Sequence, residues 1–425
     1  MHRFIAGLVM LGLQAPLLAQ TASQPPTEAP AGFDTPTLAT NPGSQSSSNG
    51  ILEPTGDSFQ LDQQVYETIH DVSTGLGPVF NARSCVECHQ NPVSGAASQF
   101  TELRVGHAVN GVFVNPTVPI DGGAAKITGR SILNDRAVIP EAQEKVPTTE
   151  NLHELRAALI TLGDGFVESV ADSTLQDIAK LQPLISGGRI HGEAVEVALF
   201  EAPGQTRVGR FGWKDQHGSL LSFIADAYLN EMGVTNRLRP TDTTTVGKIT
   251  TDPEDLPDAL GLADIDHFAQ FVRGTKVPPR DANLQSTPDA LAGEKLFVTT
   301  GCAVCHVPAL ITAPAGTVVN GGKFTVPAAL GNKIIHPFGD YLMHDIGTAG
   351  GIVQTATAQD TAFKFRTAPL WGLRMRPRYM HDLRSLTLED AIERHHGEAE
   401  FVSRRFREEL TPDEKQDLVS FLNSL

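Results

Sequence analysis

Basic residues are in short supply in this chain of 425 residues. It has 33 lysines and arginines against 49 aspartates and glutamates, a formal net charge of −16. That balance argues against nucleic acid as a partner, because the phosphate backbone is bound by basic surfaces. It suits the docking of a small basic protein partner, although solubility alone explains the charge equally well.

Long apolar runs are also missing. After residue 19 there is no stretch of eighteen apolar residues, so we expect no transmembrane helix. Residues 1–19 have a short polar start, an apolar run over residues 4–13 and a small residue at their end, which predicts a signal peptide for secretion. Residues 20–51 are rich in Pro, Ser, Thr and Gly, which predicts a disordered linker. We therefore expect a periplasmic protein.

Cysteine occurs only four times, and all four belong to two copies of one motif. The copies are Cys85-Val86-Glu87-Cys88-His89 and Cys302-Ala303-Val304-Cys305-His306. Cys-x-x-Cys-His is the attachment pattern of c-type haem, in which both sulfurs bond to one haem and the histidine binds its iron. The sequence therefore predicts two covalently bound haems c, with His89 and His306 as proximal ligands. Haem would also supply apolar bulk to a chain that is only 6% aromatic.

Two other uses of paired cysteines fit less well. A thioredoxin-like redox pair needs no trailing histidine, and no βαβ pattern surrounds either motif. A structural zinc site would need the two pairs to converge from more than two hundred residues apart. Export agrees with the haem interpretation, because c-type haem is attached outside the cytoplasm.

Apolar periodicity predicts a mainly α fold: two cytochrome c-like haem domains with long irregular insertions and a few short strands. We assign residues 52–285 to an N-terminal haem c domain with insertions and residues 286–425 to a C-terminal cytochrome c-like haem domain. Helices are predicted over residues 62–71, 148–158, 220–228, 262–273, 290–299, 387–395 and 412–425, strands over 112–118 and 195–200, and an irregular insertion over 316–344.

Several further motifs carry a resemblance to a known family. They are RFGWK at 210–214, NEMGV at 230–234, FRTAPLWG at 365–372, MHD at 380–382 and LEDAI at 388–392. They resemble the di-haem oxidoreductase family, which is related to the bacterial di-haem cytochrome c peroxidases and to MauG-type proteins. The resemblance covers roughly residues 55–425. Leu383 and His396 depart from it, since relatives usually carry glycine at both positions.

The second axial ligand of the C-terminal haem is predicted to be His395. It follows Leu388 and Ile392 at i+7 and i+3, so it shares the apolar stripe of its helix, whereas His396 points about 100° away. The resemblance implies an axial ligand at the same place. A buried histidine without a ligand role is the alternative, and Met375 and Met380 are weaker candidates.

The second face of the N-terminal haem is open to more than one interpretation. The resemblance implies another histidine soon after the first motif, and His107 is the candidate. If that face is open instead, it can bind peroxide, and a proton donor is then needed above the iron. The resemblance points to Glu168 for that role, with His217 as second choice, and capping or surface roles are the alternatives.

The resemblance implies further roles. Trp213 or Trp371 would lie between the haems and shorten the path for electrons. Arg366, Arg374 and Arg376 are candidates for pairing with haem propionates, since arginine binds carboxylates through two hydrogen bonds. A calcium ion is expected near the backbone of residues 367–369.

Two functions are consistent with this sequence. The first is a periplasmic peroxidase-like enzyme that takes electrons from a small redox protein at the C-terminal haem and reduces peroxide at the N-terminal haem. The second is a di-haem cytochrome c that acts only in electron transfer. The ligation of the N-terminal haem distinguishes the two.

Overall fold

The computed structural model describes residues 25–32, 47–354 and 359–425. The predicted signal peptide, residues 1–19, lies outside these ranges, and so does most of the predicted linker. Within that linker, residues 27–28 form a short strand parallel to residues 333–334. This part of the segment is therefore held against the C-terminal half and is not free chain.

The described residues form nine α-helices. They are α1 (Phe59–Glu67), α2 (Asp164–Glu168), α3 (Asp172–Ile185), α4 (Leu220–Met232), α5 (Asp264–Gly274), α6 (Pro288–Thr300), α7 (Leu388–Glu393), α8 (Glu400–Glu408) and α9 (Pro412–Leu422). Five of them, α1, α4, α6, α7 and α9, begin after a serine or threonine whose hydroxyl accepts a hydrogen bond from the amide three residues on. Such caps satisfy amides that lack a partner within the helix. None of the described helices is long and apolar enough to cross a membrane.

Short strands lie between the helices. They are β1 (Thr27–Glu28), β2 (Val79–Phe80), β3 (Thr101–Val109), β4 (Val112–Val114), β5 (Val118–Ile120), β6 (Ala125–Ile127), β7 (Ile132–Leu133), β8 (Arg136–Ala137), β9 (Leu152–Ala157), β10 (Glu196–Ala198), β11 (Thr206–Val208), β12 (Leu310–Ile311), β13 (Val318–Val319), β14 (Phe324–Thr325), β15 (Lys333–Ile335), β16 (Met343–His344) and β17 (Phe365–Arg366). In the largest sheet of the described chain, β3 pairs with β4, β7 and β9. The remaining sheets hold two or three strands each.

The prediction of a mainly α fold is wrong. Helices hold 31% and strands 16% of the described residues. The clearest error is at residues 148–158, which were expected to be helical but contain β9, antiparallel to β3. Glu154 and Arg156 of β9 are buried and form an ion pair at 2.6 Å. A partner strand some fifty residues earlier in the chain therefore decides this segment, and apolar spacing within it does not reveal such a partner.

The core joins the two predicted domains. In the C-terminal half, α6 packs along α9, and Phe297, Phe338 and Phe421 form an aromatic cluster with ring centroids 5.2 to 5.9 Å apart. In the N-terminal half, α1, α4 and α5 pack around Tyr66 and Phe268. The largest apolar cluster contains residues from both sides of residue 285, so both halves contribute to one core.

Candidate haem-binding sites

The second Cys-x-x-Cys-His motif lies in a tight turn directly after α6. Gly301 ends the helix with φ 111°, in the left-handed region that favours glycine. The chain then forms a 3₁₀ turn over Cys302–Val304, and the amide of His306 donates to the carbonyl of Cys302 at 2.9 Å. Both cysteines and His306 line one cavity of about 190 Å³, here called the C-terminal cavity.

Two histidine rings meet in the C-terminal cavity. The ring centroids of His306 and His395 are 6.4 Å apart. His306 donates through Nδ1 to the carbonyl of Phe338 at 3.0 Å, and His395 donates through Nδ1 to that of Ala391 at 2.7 Å. Each Nε2 is then free to bind a metal. Because metal–imidazole bonds are about 2 Å long, an iron bound by both rings would separate their centroids by roughly 6 Å. The pair fits a haem iron with both axial positions filled.

Burial keeps these two imidazoles neutral. It lowers the pKa of His306 to about 4, with a further contribution from His395. It also lowers the pKa of His395. Neutral imidazole is the form that binds metal, so both rings are in the ligating state at neutral pH.

His395 and His396 face different surroundings. The helix α7 ends at Glu393, two residues before the predicted end, and the amide of His395 donates to the carbonyl of Ile392 at 3.2 Å. His395 shares the C-terminal cavity with Ile392. The side chain of His396 is 54% exposed and contacts Glu400 at 2.7 Å. The structure thus brings His395, and not its neighbour, to His306.

The first motif has the same local form. It makes a 3₁₀ turn over Cys85–Glu87, and the amides of Cys88 and His89 donate to the carbonyl of Cys85 at 3.2 and 3.0 Å. Burial lowers the pKa of His89 to about 4. A second cavity, of about 310 Å³, is lined by Cys85, Cys88 and His89, the three residues that would hold haem. It is here called the N-terminal cavity.

The chemistry of the cysteines also favours haem over the other uses. All four lie in described parts of the chain, and none is in a disulfide. Burial raises the pKa of Cys88 to about 12, so it is not the thiolate that a redox-active pair requires. Among the described residues, no cluster of metal-binding side chains joins the two motifs.

The two cavities differ in their histidines. Among the described residues that line the N-terminal cavity, His89 is the one histidine. The C-terminal cavity is lined by four, which are His306, His344, His381 and His395. One face of α4 lines the N-terminal cavity, through Leu220, Phe223, Ile224, Ala227, Tyr228 and Glu231. The N-terminal iron would therefore have a face that no imidazole fills.

Two carboxyl groups, those of Glu102 and Glu231, line the N-terminal cavity together. Arg104 donates two hydrogen bonds to Glu102, at 2.6 and 2.8 Å. Burial alone would raise the pKa of Glu102, but the charge of Arg104 lowers it to about 2. Burial and the neighbouring Glu102 raise the pKa of Glu231 well above its usual range. Both causes favour the protonated form of Glu231, which is the form that can donate a proton.

Trp213 and Arg366 line both cavities. The indole donates to the carbonyl of Ala157 at 2.8 Å, which fixes its orientation. Its ring packs edge-on against Phe365 and His381, with centroids 5.7 and 6.1 Å away, and both of these rings belong to the C-terminal cavity. Trp213 thus lies where a path between the two haems would run. Trp371, the other candidate, is in the apolar core and lines neither cavity.

Glu168 lies outside both cavities. Its side chain is fully buried and accepts hydrogen bonds from Arg273 at 2.7 Å, from the amide of Leu220 at 2.9 Å and from Asn320 at 2.9 Å. Burial alone would raise its pKa, but Arg273 lowers it. An acid–base role above the first haem does not fit this position. The carboxylate stays charged and ties α2 to α5.

The other two predicted residues also lie away from His89. His217 contacts Asp226 at 3.3 Å, and only Asp226 lines the N-terminal cavity. His107, on β3, contacts Glu150 at 2.7 Å and lines neither cavity. In the structure, neither histidine is placed to bind the N-terminal iron.

Of the three arginines predicted to pair with haem propionates, two line a haem cavity and one does not. Arg366 and Arg376 line the C-terminal cavity, whereas Arg374 is exposed and donates to the carbonyl of Pro279 at 3.3 Å. Met380 lines this cavity too, and Met375 packs against the core. The backbone of residues 367–369 also borders the cavity, and a calcium ion there stays a prediction.

Sequence reasoning missed His344 and the pair Glu102–Glu231. His344 is buried between Asp340 at 3.0 Å and Glu398 at 3.1 Å, and it lies 3.8 Å from Cys305. It follows the irregular stretch after β15 and has no neighbouring motif. Glu231 lies in the NEMGV motif at 230–234, but nothing in that motif assigns it a role, and its pairing with Glu102 joins residues distant in the chain.

Covalent attachment leads to a first prediction. Two haems per chain are expected, with haem staining on denaturing gels that survives boiling and two haems in a pyridine haemochrome assay. Cys85→Ser should abolish thioether formation at residue 85 and reduce retained haem, while the C-terminal haem stays. Cys302→Ser should do the reverse. A single haem in the native chain, or bound zinc in its place, would contradict the assignment.

Comparison with known proteins bears out the family. A family model described as "Di-haem oxidoreductase, putative peroxidase" matches residues 144–425, well over half of the chain. No curated protein matches. The chain is similar to a structure of Kuenenia stuttgartiensis hydrazine synthase pressurised with xenon, with 13% identity, 100% of both chains covered and a TM-score of 0.41. It is also similar to a MauG-like protein associated with microbial copper homeostasis, with 20% identity, 38% of this chain and 52% of that chain covered and a TM-score of 0.25.

At these scores neither solved structure bears on the function, and the assignment depends on the family model and on the two motifs. The C-terminal motif lies inside the matched range and the N-terminal motif precedes it. The resemblance read from the sequence is confirmed: this chain belongs to the di-haem oxidoreductase family.

Proposed function

We propose that this protein is a periplasmic di-haem c-type oxidoreductase that takes electrons at the C-terminal site and reduces peroxide at the N-terminal site. The observation that carries the proposal is the difference between the two cavities. His306 has His395 opposite it, whereas His89 has no second histidine among the described residues that line its cavity. Membership of the family supports a redox role for two haems.

Each haem has its own set of residues. Cys85, Cys88 and His89 would hold the N-terminal haem, and Cys302, Cys305, His306 and His395 the C-terminal one. Bound haem supplies one-electron chemistry at its iron, and an iron with a free axial position also admits a small ligand.

The C-terminal site is suited to electron entry. His306 and His395 are neutral and held by backbone carbonyls, so electron transfer there requires no change of ligand. Trp213 borders both sites and would shorten the path between them. The net charge of −16 suits a small basic redox protein as donor.

The N-terminal site is suited to proton-coupled reduction. Reduction of peroxide to water consumes protons as well as electrons, and proton transfer by a positioned side chain accelerates such steps. Burial and the negative charge of Glu102 both raise the pKa of Glu231 and so favour its protonated form. Arg104 holds Glu102 ionised. We assign the donor role to Glu231 in place of Glu168.

One experiment separates this function from electron transfer alone. Reduction of peroxide to water takes two electrons. Protein reduced at the C-terminal haem only should therefore consume peroxide faster than fully oxidised protein, because the C-terminal haem can then supply one of the two. Electron paramagnetic resonance of the oxidised protein should show a low-spin C-terminal haem, and that of the half-reduced protein should show an N-terminal haem that is high-spin or readily exchanges its ligand.

The alternative has one observation in its favour. Met232 is buried and lines the N-terminal cavity, and a thioether is a known axial ligand of haem. If two low-spin haems are found and the half-reduced protein does not consume peroxide, the protein acts only in electron transfer.

A further inference from the structure

A buried group of acidic side chains and one histidine lies outside both haem cavities, where the N-terminal ends of α1 and α5 meet. Asp57 precedes α1, Asp62 is in its first turn, and His267 is in the first turn of α5. The side chains of Asp57 and Asp62 are 0% exposed and that of His267 is 3% exposed. One ligand atom from each lies within 4.8 Å of the others.

Two carboxylate oxygens, one in this group and one on a neighbouring residue, have no hydrogen-bond partner among the described residues. Asp62 contacts Nδ1 of His267 through Oδ1 at 2.6 Å, but its Oδ2 is buried and unpartnered among the described residues. One oxygen of the neighbouring Glu53 is likewise buried and unpartnered. Buried carboxylate oxygens are nearly always satisfied by a donor or by an ion, so both point to a ligand that this group would bind.

Neighbouring polar groups hold His267 and Asp57 in place, as the groups around a metal site usually hold its ligands. Nε2 of His267 lies 3.4 Å from a carboxylate oxygen of Asp258, which leaves Nδ1 to face Asp57 and Asp62. Gln270 donates to the second oxygen of Asp57 at 3.0 Å. A histidine held by a carboxylate through its other nitrogen is the common outer arrangement of a metal site.

Charge points the same way. In the described chain His267 is the one basic group in ion-pair contact with Asp57, Asp62 and Asp258. The carboxyl groups of Asp57 and Glu53 repel the negative charge of Asp62. A cation among these oxygens would relieve the repulsion.

A second group of acidic side chains differs from this one because it contains a lysine. Asp242 and Asp252 both contact the ammonium group of Lys248, which lies 3.1 Å from Asp242. That group already contains a cation from the chain. The group around His267 has no such lysine.

We propose that Asp57, Asp62 and His267, together with Glu53, form a site for one divalent transition-metal ion of the zinc type. Imidazole nitrogen and carboxylate oxygen are both zinc ligands, whereas calcium takes six to eight oxygens. The site would join α1 to α5, and each helix also lines the N-terminal cavity, through Tyr66 and Phe268. Binding only to the folded chain, the ion would stabilise this wall of the cavity. The inference is independent of the peroxidase proposal.

The test uses the full-length haem-loaded protein, stripped with a chelator and titrated with zinc chloride by calorimetry. One zinc per chain is expected, with anomalous scattering at the zinc absorption edge between His267 and Asp62 in a crystal. His267→Gln and Asp62→Asn should weaken zinc binding by at least the roughly 10–100-fold that loss of an outer partner costs. Asp252→Asn, in the group that holds Lys248, is the matched control and should bind zinc as the native protein does.

Folding is checked separately by the haem absorption spectrum and far-ultraviolet circular dichroism. If either variant fails to fold, Glu53→Gln replaces it, since Glu53 is only partly buried and precedes α1. The proposal would be overturned if the native protein does not bind zinc. It would also be overturned if the folded variants bind zinc with unchanged affinity. Tight calcium binding in place of zinc would also overturn it, because the imidazole would then have no role.

Discussion

Glu231→Gln is expected to lower peroxide turnover by the half-reduced protein by about 10²–10⁴-fold, the usual contribution of a positioned proton donor. Glutamine has nearly the same shape but has no acidic proton to give. The measurement is the steady-state rate of peroxide consumption across pH, with both haem spectra recorded to show that the sites are intact. The loss should persist at every pH, because the amide does not titrate in this range.

Glu102→Gln is the matched variant, and its effect should depend on pH. The charge of Glu102 is one cause of the raised pKa of Glu231. Without it, the pKa of Glu231 falls, so Glu231 loses its proton at a lower pH. Turnover should therefore drop near neutrality and recover as the solution is made more acidic. If Glu231→Gln leaves turnover unchanged, Glu231 is not the proton donor, although the peroxidase proposal itself would stand.

His395→Ala should convert the C-terminal haem from low-spin to high-spin. The ring of His395 lies 6.4 Å from that of His306, and its Nδ1 is already held by the carbonyl of Ala391, so alanine removes the one imidazole opposite His306. Electron paramagnetic resonance and the absorption spectrum of the oxidised protein measure the change. The N-terminal haem signal should be unaffected.

His396→Ala is the control for that substitution. His396 is mostly exposed and contacts Glu400, so its loss should leave both haem spectra nearly unchanged. Equal effects from the two substitutions would show that either His395 or His396 can bind the C-terminal iron. An effect from His396→Ala alone would show that the order of the two side chains is reversed.

The residues that we propose to bind haem can be identified from the sequence because their arrangement is set locally. Spacing of three residues brings Cys302 and Cys305 to one side of a 3₁₀ turn, and a histidine directly after them follows the same turn. Because His395 follows Leu388 by seven residues, helical spacing predicts that His395 shares the apolar face and that His396 does not. The pattern distinguishes the two histidines although α7 ends before both of them. Interactions between near neighbours in the chain are visible in the sequence.

The fold class and the acid–base residue could not be predicted in this way. Residues 148–158 read as helix, yet β9 pairs with β3, and only the assembled sheet reveals that strand. The resemblance points to Glu168, whereas the structure buries it against Arg273 from α5. Glu231 lies in the NEMGV motif, but the motif does not reveal that the pKa of Glu231 is raised by burial and by Glu102 from another element.

By itself, the sequence identified the two motifs at which haem c would be attached and the histidines that follow the cysteines, because thioether formation depends on spacing along the chain. The tertiary structure decided which carboxyl group has a raised pKa, that Trp213 borders both cavities, and that Asp62 contacts His267. Burial and electrostatic fields are the physical reason. A pKa or a ligand set depends on what surrounds a side chain in space, and in each of these cases the surroundings come from distant parts of the chain.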